Sequence, residues 1–437
     1  MYAFAAPSSI MGIAFTFSHA GLLGGTLGCL VVYGASAIGA LLFVDLLSIC
    51  PGATMFSDIG RVTLGAAGER LGLVLQMTNF CLYLPVALLT TAQALQQAVQ
   101  PAATTCVNYY VFAVALVCFA STQVRDLNNS TPLAAAALFA SLAVAALQLA
   151  IVAAHPLDAK PSQWFGHPDA SVAGSARLAL ALTTCAWSYV PSVLTVELAQ
   201  SLGSAQALRR AILLSAALSA VVSLSVGLPV AALWGASLPD PISISKQWPV
   251  YSASARALSA LLCAANLVSY CLDSVPFCRY CQRKLDPHFS DGWSAAECMR
   301  YALLTSPSIL FAVVAAVFVG QPGGLFTMLA WVTAVTVPAL NLIFPAVCTL
   351  FPRNAPIGAA PQPHEMLNER LTDATDALLS RKRPAAWGVL AVGVVVLLVC
   401  FYAALGRTLI PAVRGPEIIG CEGWGIYHSN GTSFSGW

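Results

Sequence analysis

The residues best suited to chemistry in this chain stand beside prolines inside apolar runs. One group is Ala6-Pro7-Ser8-Ser9-Ile10-Met11-Gly12, and the other is Thr183-Thr184-Cys185-Ala186-Trp187-Ser188-Tyr189-Val190-Pro191-Ser192. Proline has no amide hydrogen, and its ring clashes with the preceding turn. In a membrane helix it therefore opens the hydrogen-bond ladder, and neighbouring hydroxyls satisfy the freed groups or coordinate a cation. An open helix N-terminus favours a carboxylate through its unpaired amides and its dipole. Freed carbonyls favour an ammonium group. Two such openings suit a zwitterion. Proline kinks also serve plain packing in many membrane helices. What gives these two weight is their matching placement, at the first and sixth apolar segments of a chain that divides into two sets of five.

Carboxylates are the next candidates, because an aspartate at the bilayer centre costs roughly 3 kcal/mol. Asp45, Glu197 and Asp273 lie toward the ends of apolar segments. Asp45 and Asp273 read as interfacial residues. Glu197 lies less than two turns after Pro191, placed to take a proton, to pair with a gate residue, or to form a structural ion pair with Arg209 or Arg210. Polar residues also crowd the third segment (Gln76, Thr78, Asn79, Tyr83) and the eighth (Asn266, Ser269, Tyr270). They would line a site between the two openings or hydrogen-bond between helices. Cys278 and Cys281 form a C-x-x-C pair, followed by His288 and Cys298, but the spacing matches no common zinc module. No metal and no cofactor is expected. Cys106 and Cys421 are the cysteines placed for an outer disulfide. The six histidines are scattered, which disfavours a membrane-embedded enzyme, and the chain has no G-x-x-x-x-G-K-[ST] loop for ATP.

Positioning these residues requires helices that cross a bilayer. Of 437 residues, 58% are hydrophobic and 9% charged, with a net charge of +2. A soluble chain carries about 25% charged residues, so lipid must cover most of this one, and no basic field draws nucleic acid to it. About 20 apolar residues span the hydrocarbon core. Eleven segments qualify, approximately 2–20, 22–49, 71–99, 107–122, 132–154, 176–202, 211–234, 253–275, 301–320, 324–350 and 386–405. They are continuously apolar rather than alternating, which excludes an outer-membrane barrel. Residues 1–405 thus read as one transmembrane domain, with a linker at 351–384 and a tail at 406–437. With the N-terminus cytoplasmic, fourteen of the twenty basic residues fall on the inner side and six on the outer. That predicts a cytoplasmic N-terminus and an extracytoplasmic C-terminus. Asn430-Gly431-Thr432 in the tail is a weak glycosylation signal. Met1 falls inside the first apolar segment, so a truncated start is as acceptable as a natural one.

Several stretches resemble the amino acid/auxin permease family. The run Ser8-Ser9-Ile10-Met11-Gly12-Ile13-Ala14-Phe15-Thr16-Phe17-Ser18-His19-Ala20-Gly21-Leu22-Leu23-Gly24-Gly25 is similar to that family's first-helix motif. Trp187-Ser188-Tyr189-Val190-Pro191 with Glu197 resembles its sixth-helix segment, and Phe56-Ser57-Asp58-Ile59-Gly60 with Leu64-Gly65 its second connection. Ser8-Ser9 stand where the family commonly has glycine and Ala14 where it has proline, departures that bear on how open the first helix is. The resemblance implies an all-α, five-plus-five inverted-repeat transporter with helices 1 and 6 broken. It implies secondary active transport of an amino acid, by proton- or sodium-coupled symport with alternating access. The alternative is a transport-inactive sensor or channel on the same scaffold. Substrate would lie on Ser8, Ser9, Ile10, Met11, Gly12, Thr184, Trp187, Ser188, Tyr189, Asn79 and Tyr83, with Glu197, Asn266 and Ser269 in coupling or gating. The membrane would be the plasma membrane or a vacuolar or other internal one.

Overall fold

In the computed structural model the described residues are 7–50, 53–99, 107–123, 131–154, 172–234, 253–285, 294–319, 324–352 and 365–409, and among them every regular element is helical. His288, Cys106, Cys421 and the tail with Asn430 lie outside them. The helices are α1 (Pro7–Ile49), α2 (Phe56–Leu64), α3 (Ala66–Val99), α4 (Val107–Ser121), α5 (Thr131–Ala154), α6 (Val172–Ser188) and α7 (Ser192–Leu202). They continue as α8 (Ala205–Trp234), α9 (Ala253–Leu285), α10 (Ala295–Val319), α11 (Gly324–Pro338), α12 (Phe344–Leu350) and α13 (Glu365–Leu409), with a π-helical turn Ala339–Ile343 between α11 and α12.

Helix α1 is two crossings joined by one residue. Gly21 adopts φ 77° and ψ 171°, a conformation open to glycine and strained for any residue with a Cβ. The backbone of Phe17 lies 3.2 Å from where a Cβ on Gly25 would sit. Eight residues along a straight helix would separate the two by about 12 Å, so the chain doubles back at Gly21. The expected boundary between the first two segments is thus a one-residue elbow. Among the described residues eight stretches are long and apolar enough to cross a membrane, one of them running through α11, the π-helical turn and α12, and Val107–Ala120 is a shorter apolar helix. With α1 folded in two and α6/α7 as one interrupted crossing, the described residues make eleven crossings.

The crossings bury one face and leave the other to lipid. On α5, Ser141, Val144, Ala145, Gln148, Ile151 and Val152 recur at helical spacing and are buried, while Leu133 and Phe139 are exposed. The paired members of the two repeats pack on one another: α1 against α6, and α3 against α9. Toward the end that carries most of the described basic residues, Phe43 of α1, Phe56 of α2 and Phe344 of α12 stack, with centroids 4.8 Å (Phe43 to Phe56) and 6.2 Å (Phe56 to Phe344) apart.

Two boundaries differ from the sequence reading. Helix α9 runs ten residues beyond Val275, through Pro276, so Cys278 and Cys281 sit on a spanning helix rather than in a connection. Helix α13 begins at Glu365 and passes through Pro384, so the second half of the 351–384 linker is helical. In both cases neighbouring helices hold the ladder on either side of the proline.

Candidate functional site

The interruption of the sixth crossing follows from Pro191. Its missing amide leaves the Trp187 carbonyl without its usual donor four residues on, and α6 ends at Ser188 while α7 starts at Ser192. The first amide of α7 is satisfied from elsewhere: Ser192 N–H donates to Asn341 Oδ1 at 3.1 Å. Asn341 stands in the π-helical turn, whose extra residue bulges the backbone toward α1. A Cβ on Gly39 would run into the Asn341 carbonyl oxygen, so only glycine admits this approach. Ser192 Oγ and Asn341 Nδ2 are buried without a partner among the described residues.

The first crossing departs from expectation. It is wound continuously from Pro7 through Gly12, so there is no opening within 7–12. Proline at the first helical position explains this, since the amide it lacks has no intrahelical partner there in any case. The side chains of Ser8, Ser9, Ile10 and Met11 lie outside the described residues, and Gly12 is buried. The backbone amides of that first turn are nonetheless unpaired within the helix, as at any helix start.

Three contacts fix the depth at which that turn meets the interruption. Cys29 Sγ lies 3.1 Å from Cys185 Sγ, and Tyr33 Oη 2.5 Å from Ser188 Oγ. Residue 22–49 of α1 therefore runs parallel to α6, with residue 33 level with 188. The elbow pairs 17 with 25, which places residue 9 level with 33. Thr16 Oγ1 donating to Ala181 O at 2.8 Å keeps the same register. The start of α1 and the interruption of α6/α7 thus share one level in the bundle.

Around this level the expected residues divide. Trp187 packs against Tyr83 of α3, centroids 5.4 Å apart and ring planes tilted by 40°. The Tyr83 hydroxyl reaches Ser269 Oγ of α9 at 3.1 Å. Ser269 donates to Asp273 Oδ2 at 3.1 Å, and Tyr83 also hydrogen-bonds the Asp273 carboxylate. Asn79 and Asn266 are buried on the same two helices, with Asn266 Nδ2 lacking a partner among the described residues. Thr184 donates within α6 to Leu180 O. Ser188 donates to Cys185 O, so Tyr33 donates to Ser188. The Tyr189 side chain points away from this group: its hydroxyl donates to Ile212 O of α8 at 3.0 Å. Only its backbone is left for the interruption.

The carboxylates resolve as well. Glu197 forms an ion pair with Arg279 of α9 at 3.1 Å, not with Arg209 or Arg210. Asp45 is buried and paired with Arg209 of α8 and with Lys382 of α13 at 3.3 Å. Asp273 lies within α9, twelve residues or about 18 Å before its end at Leu285. Sequence reasoning does not single out Arg279, and it does not place Asp273 beside Ser269 and Tyr83. The i, i+4 spacing of Ser269 and Asp273 was the available signal for one, and the extension of α9 past Pro276 hid the other. Cys278 and Cys281 gather no third His, Cys, Asp or Glu partner around a metal among the described residues.

Paired half-crossings, an interrupted helix heading the second repeat, and polar side chains facing the gap define a five-plus-five inverted-repeat transporter. Among solved structures, that of MhsT in complex with L-phenylalanine is similar, with 14% identity over 91% of this chain and 97% of that one and a TM-score of 0.53. At that identity the likeness carries the fold. A family model described as transmembrane amino acid transporter protein matches residues 6–357, and the chain belongs to that family. No curated protein matches the chain.

Proposed function

We propose that this chain is a secondary active carrier that moves an amino acid together with a proton or a sodium ion by alternating access. Membership of the transmembrane amino acid transporter family supports the substrate class. The shared level of the α1 start and the α6/α7 interruption carries the placement of the site. The substrate carboxylate would accept from the first-turn amides of Ser8 and Ser9, where unpaired donors and the helix dipole coincide, with Ile10, Met11 and Gly12 continuing the same turn beside it. Its ammonium would be held by the carbonyls freed between Thr184 and Tyr189, beside Trp187 and Ser188. Asn79 and Tyr83 would close the pocket from α3, with L-phenylalanine, the ligand of MhsT, among the amino acids to be tried. Asn266 and Ser269 would serve coupling.

Switching requires contacts that exist on one side only. The Glu197–Arg279 pair ties the lower half-helix α7 to α9, and opening the cytoplasmic face would part it. On this reading Glu197 is a gate residue, with the N-terminus cytoplasmic and the C-terminus extracytoplasmic. The test is uptake of mixed labelled amino acids into proteoliposomes under an imposed proton or sodium gradient. Accumulation under one of the two is expected. Substrate binding without uptake under either would instead mark a sensor on this scaffold.

A further inference from the structure

Among the described residues three carboxylates, Asp45, Glu197 and Asp273, lie inside the bundle, and they are not treated alike. Asp45 has Arg209 and Lys382, and Glu197 has Arg279. Asp273 has two hydroxyls, those of Ser269 and Tyr83, and no basic partner among the described residues. A buried carboxylate without a cation is costly in its ionised form. Among the described residues nothing neutralises that negative charge.

We propose that Asp273 is the residue that takes up and releases the coupling proton, an inference that rests on the carrier reading above. The surroundings fit a proton better than a metal ion. A hard cation gathers roughly six oxygen ligands, whereas a single carboxylate and two hydroxyls meet here. A hydroxyl can both donate and accept, so Ser269 and Tyr83 serve the ionised carboxylate as donors and the carboxylic acid as acceptors without moving. Tyr83 and Asp273 each keep part of their surface open, which gives a proton a route in.

The same residues explain how the proton would sense the substrate. Trp187 at the interruption packs against the Tyr83 ring, and Tyr83 hydrogen-bonds Asp273. A substrate wedged against Trp187 shifts that ring, and with it one of the two hydroxyls that set the charge on the carboxylate. Of the elements packed against α9, helix α3 brings Cys81 besides Tyr83, with Glu69 and Arg70 at its start, about 20 Å along the helix from Tyr83. Helix α5 brings none, α4 brings Tyr109 and Tyr110 in its first turn and Cys118, beside Tyr270 and Cys271 of α9, and α10 brings Glu297, Cys298 and Arg300 in its first turns and Tyr301. Glu197 of α7 is engaged by Arg279, and Asp45 of α1 by Arg209 and Lys382.

The test uses the full chain in proteoliposomes loaded with a pH-sensitive dye, with mixed amino acids added outside. Wild type should acidify the lumen on substrate addition, with about one proton entering per amino acid. In Asp273→Asn that ratio should fall at least tenfold, and Asp273→Glu should restore it in part. An unchanged ratio in Asp273→Asn overturns the proposal. So does wild-type uptake driven by sodium with no proton movement, which leaves the carrier reading standing. Absence of uptake by folded wild type in every gradient removes both. Where Asp273→Asn fails to fold, Tyr83→Phe decides. The ionised carboxylate loses one of two donors, so the pH of half-maximal uptake should rise by half a unit or more, and an unmoved profile overturns the assignment.

Discussion

Removing Arg279 should release the lower half of the sixth crossing. At 3.1 Å, with an effective dielectric of about 20, its attraction to Glu197 is about 5 kcal/mol. Breaking a buried pair by deleting one partner costs about 3–5 kcal/mol, because the other charge is left uncompensated. Both side chains are largely withdrawn from solvent, at 22% and 6% exposure, so little of this is screened away. If the pair holds α7 against α9, Arg279→Gln should raise amide hydrogen exchange across Ser192–Leu202 by roughly 100-fold or more, at about 1.4 kcal/mol per factor of ten. The double variant Glu197→Gln/Arg279→Gln should recover most of that protection, since neither charge is then orphaned. A double-mutant cycle on thermal unfolding should give a coupling energy of at least about 1.5 kcal/mol. Unchanged exchange in α7, together with a coupling below about 0.5 kcal/mol, would show that the pair carries neither stability nor gating.

Three further outcomes are expected. Gly39→Ala should lower the melting temperature sharply or prevent folding, because the added methyl meets the Asn341 carbonyl of the π-helical turn and not a side chain that can yield; a melting curve within a degree of wild type would contradict it. Trp187→Ala should raise the KM for uptake at least tenfold while the protein still elutes as a single species, since it removes the ring that meets Tyr83 at the interruption. Arg209→Ala should destabilise more than Lys382→Ala in thermal unfolding, because Asp45 would keep only the more distant lysine in the first case and the guanidinium in the second.

Much of this architecture is legible in the amino-acid order because lipid imposes it. The eleven apolar runs are as long as a bilayer is thick, and Pro191 interrupts the sixth for a reason internal to proline. Gly21 marks a reversal that only a residue without a Cβ allows. What was not legible depends on partners distant in sequence. Pro276 and Pro384 look like ends of helices, yet the helices run on. Glu197 could be flagged as a charge in need of company, but its partner stands 82 positions away on α9. Asn341, which supplies the acceptor for the first amide of α7, is 149 positions from it. The sequence marks Tyr189 as a candidate pocket ring, whereas folding buries its side chain against α8. Asp273 was read as interfacial because its place near the end of an apolar run concealed how far α9 continues.

The elbow at Gly21 acts as a fixed gauge. With a single residue between the two arms of α1, no slack exists to absorb a change in the length of either arm. Each residue added to or removed from 8–20 would raise or lower the first turn by about 1.5 Å against Ser188 and rotate it by about 100°. The vertical address of the site is therefore written in a count of residues, and a family member with a longer first arm must carry its cargo at a different height or bend elsewhere.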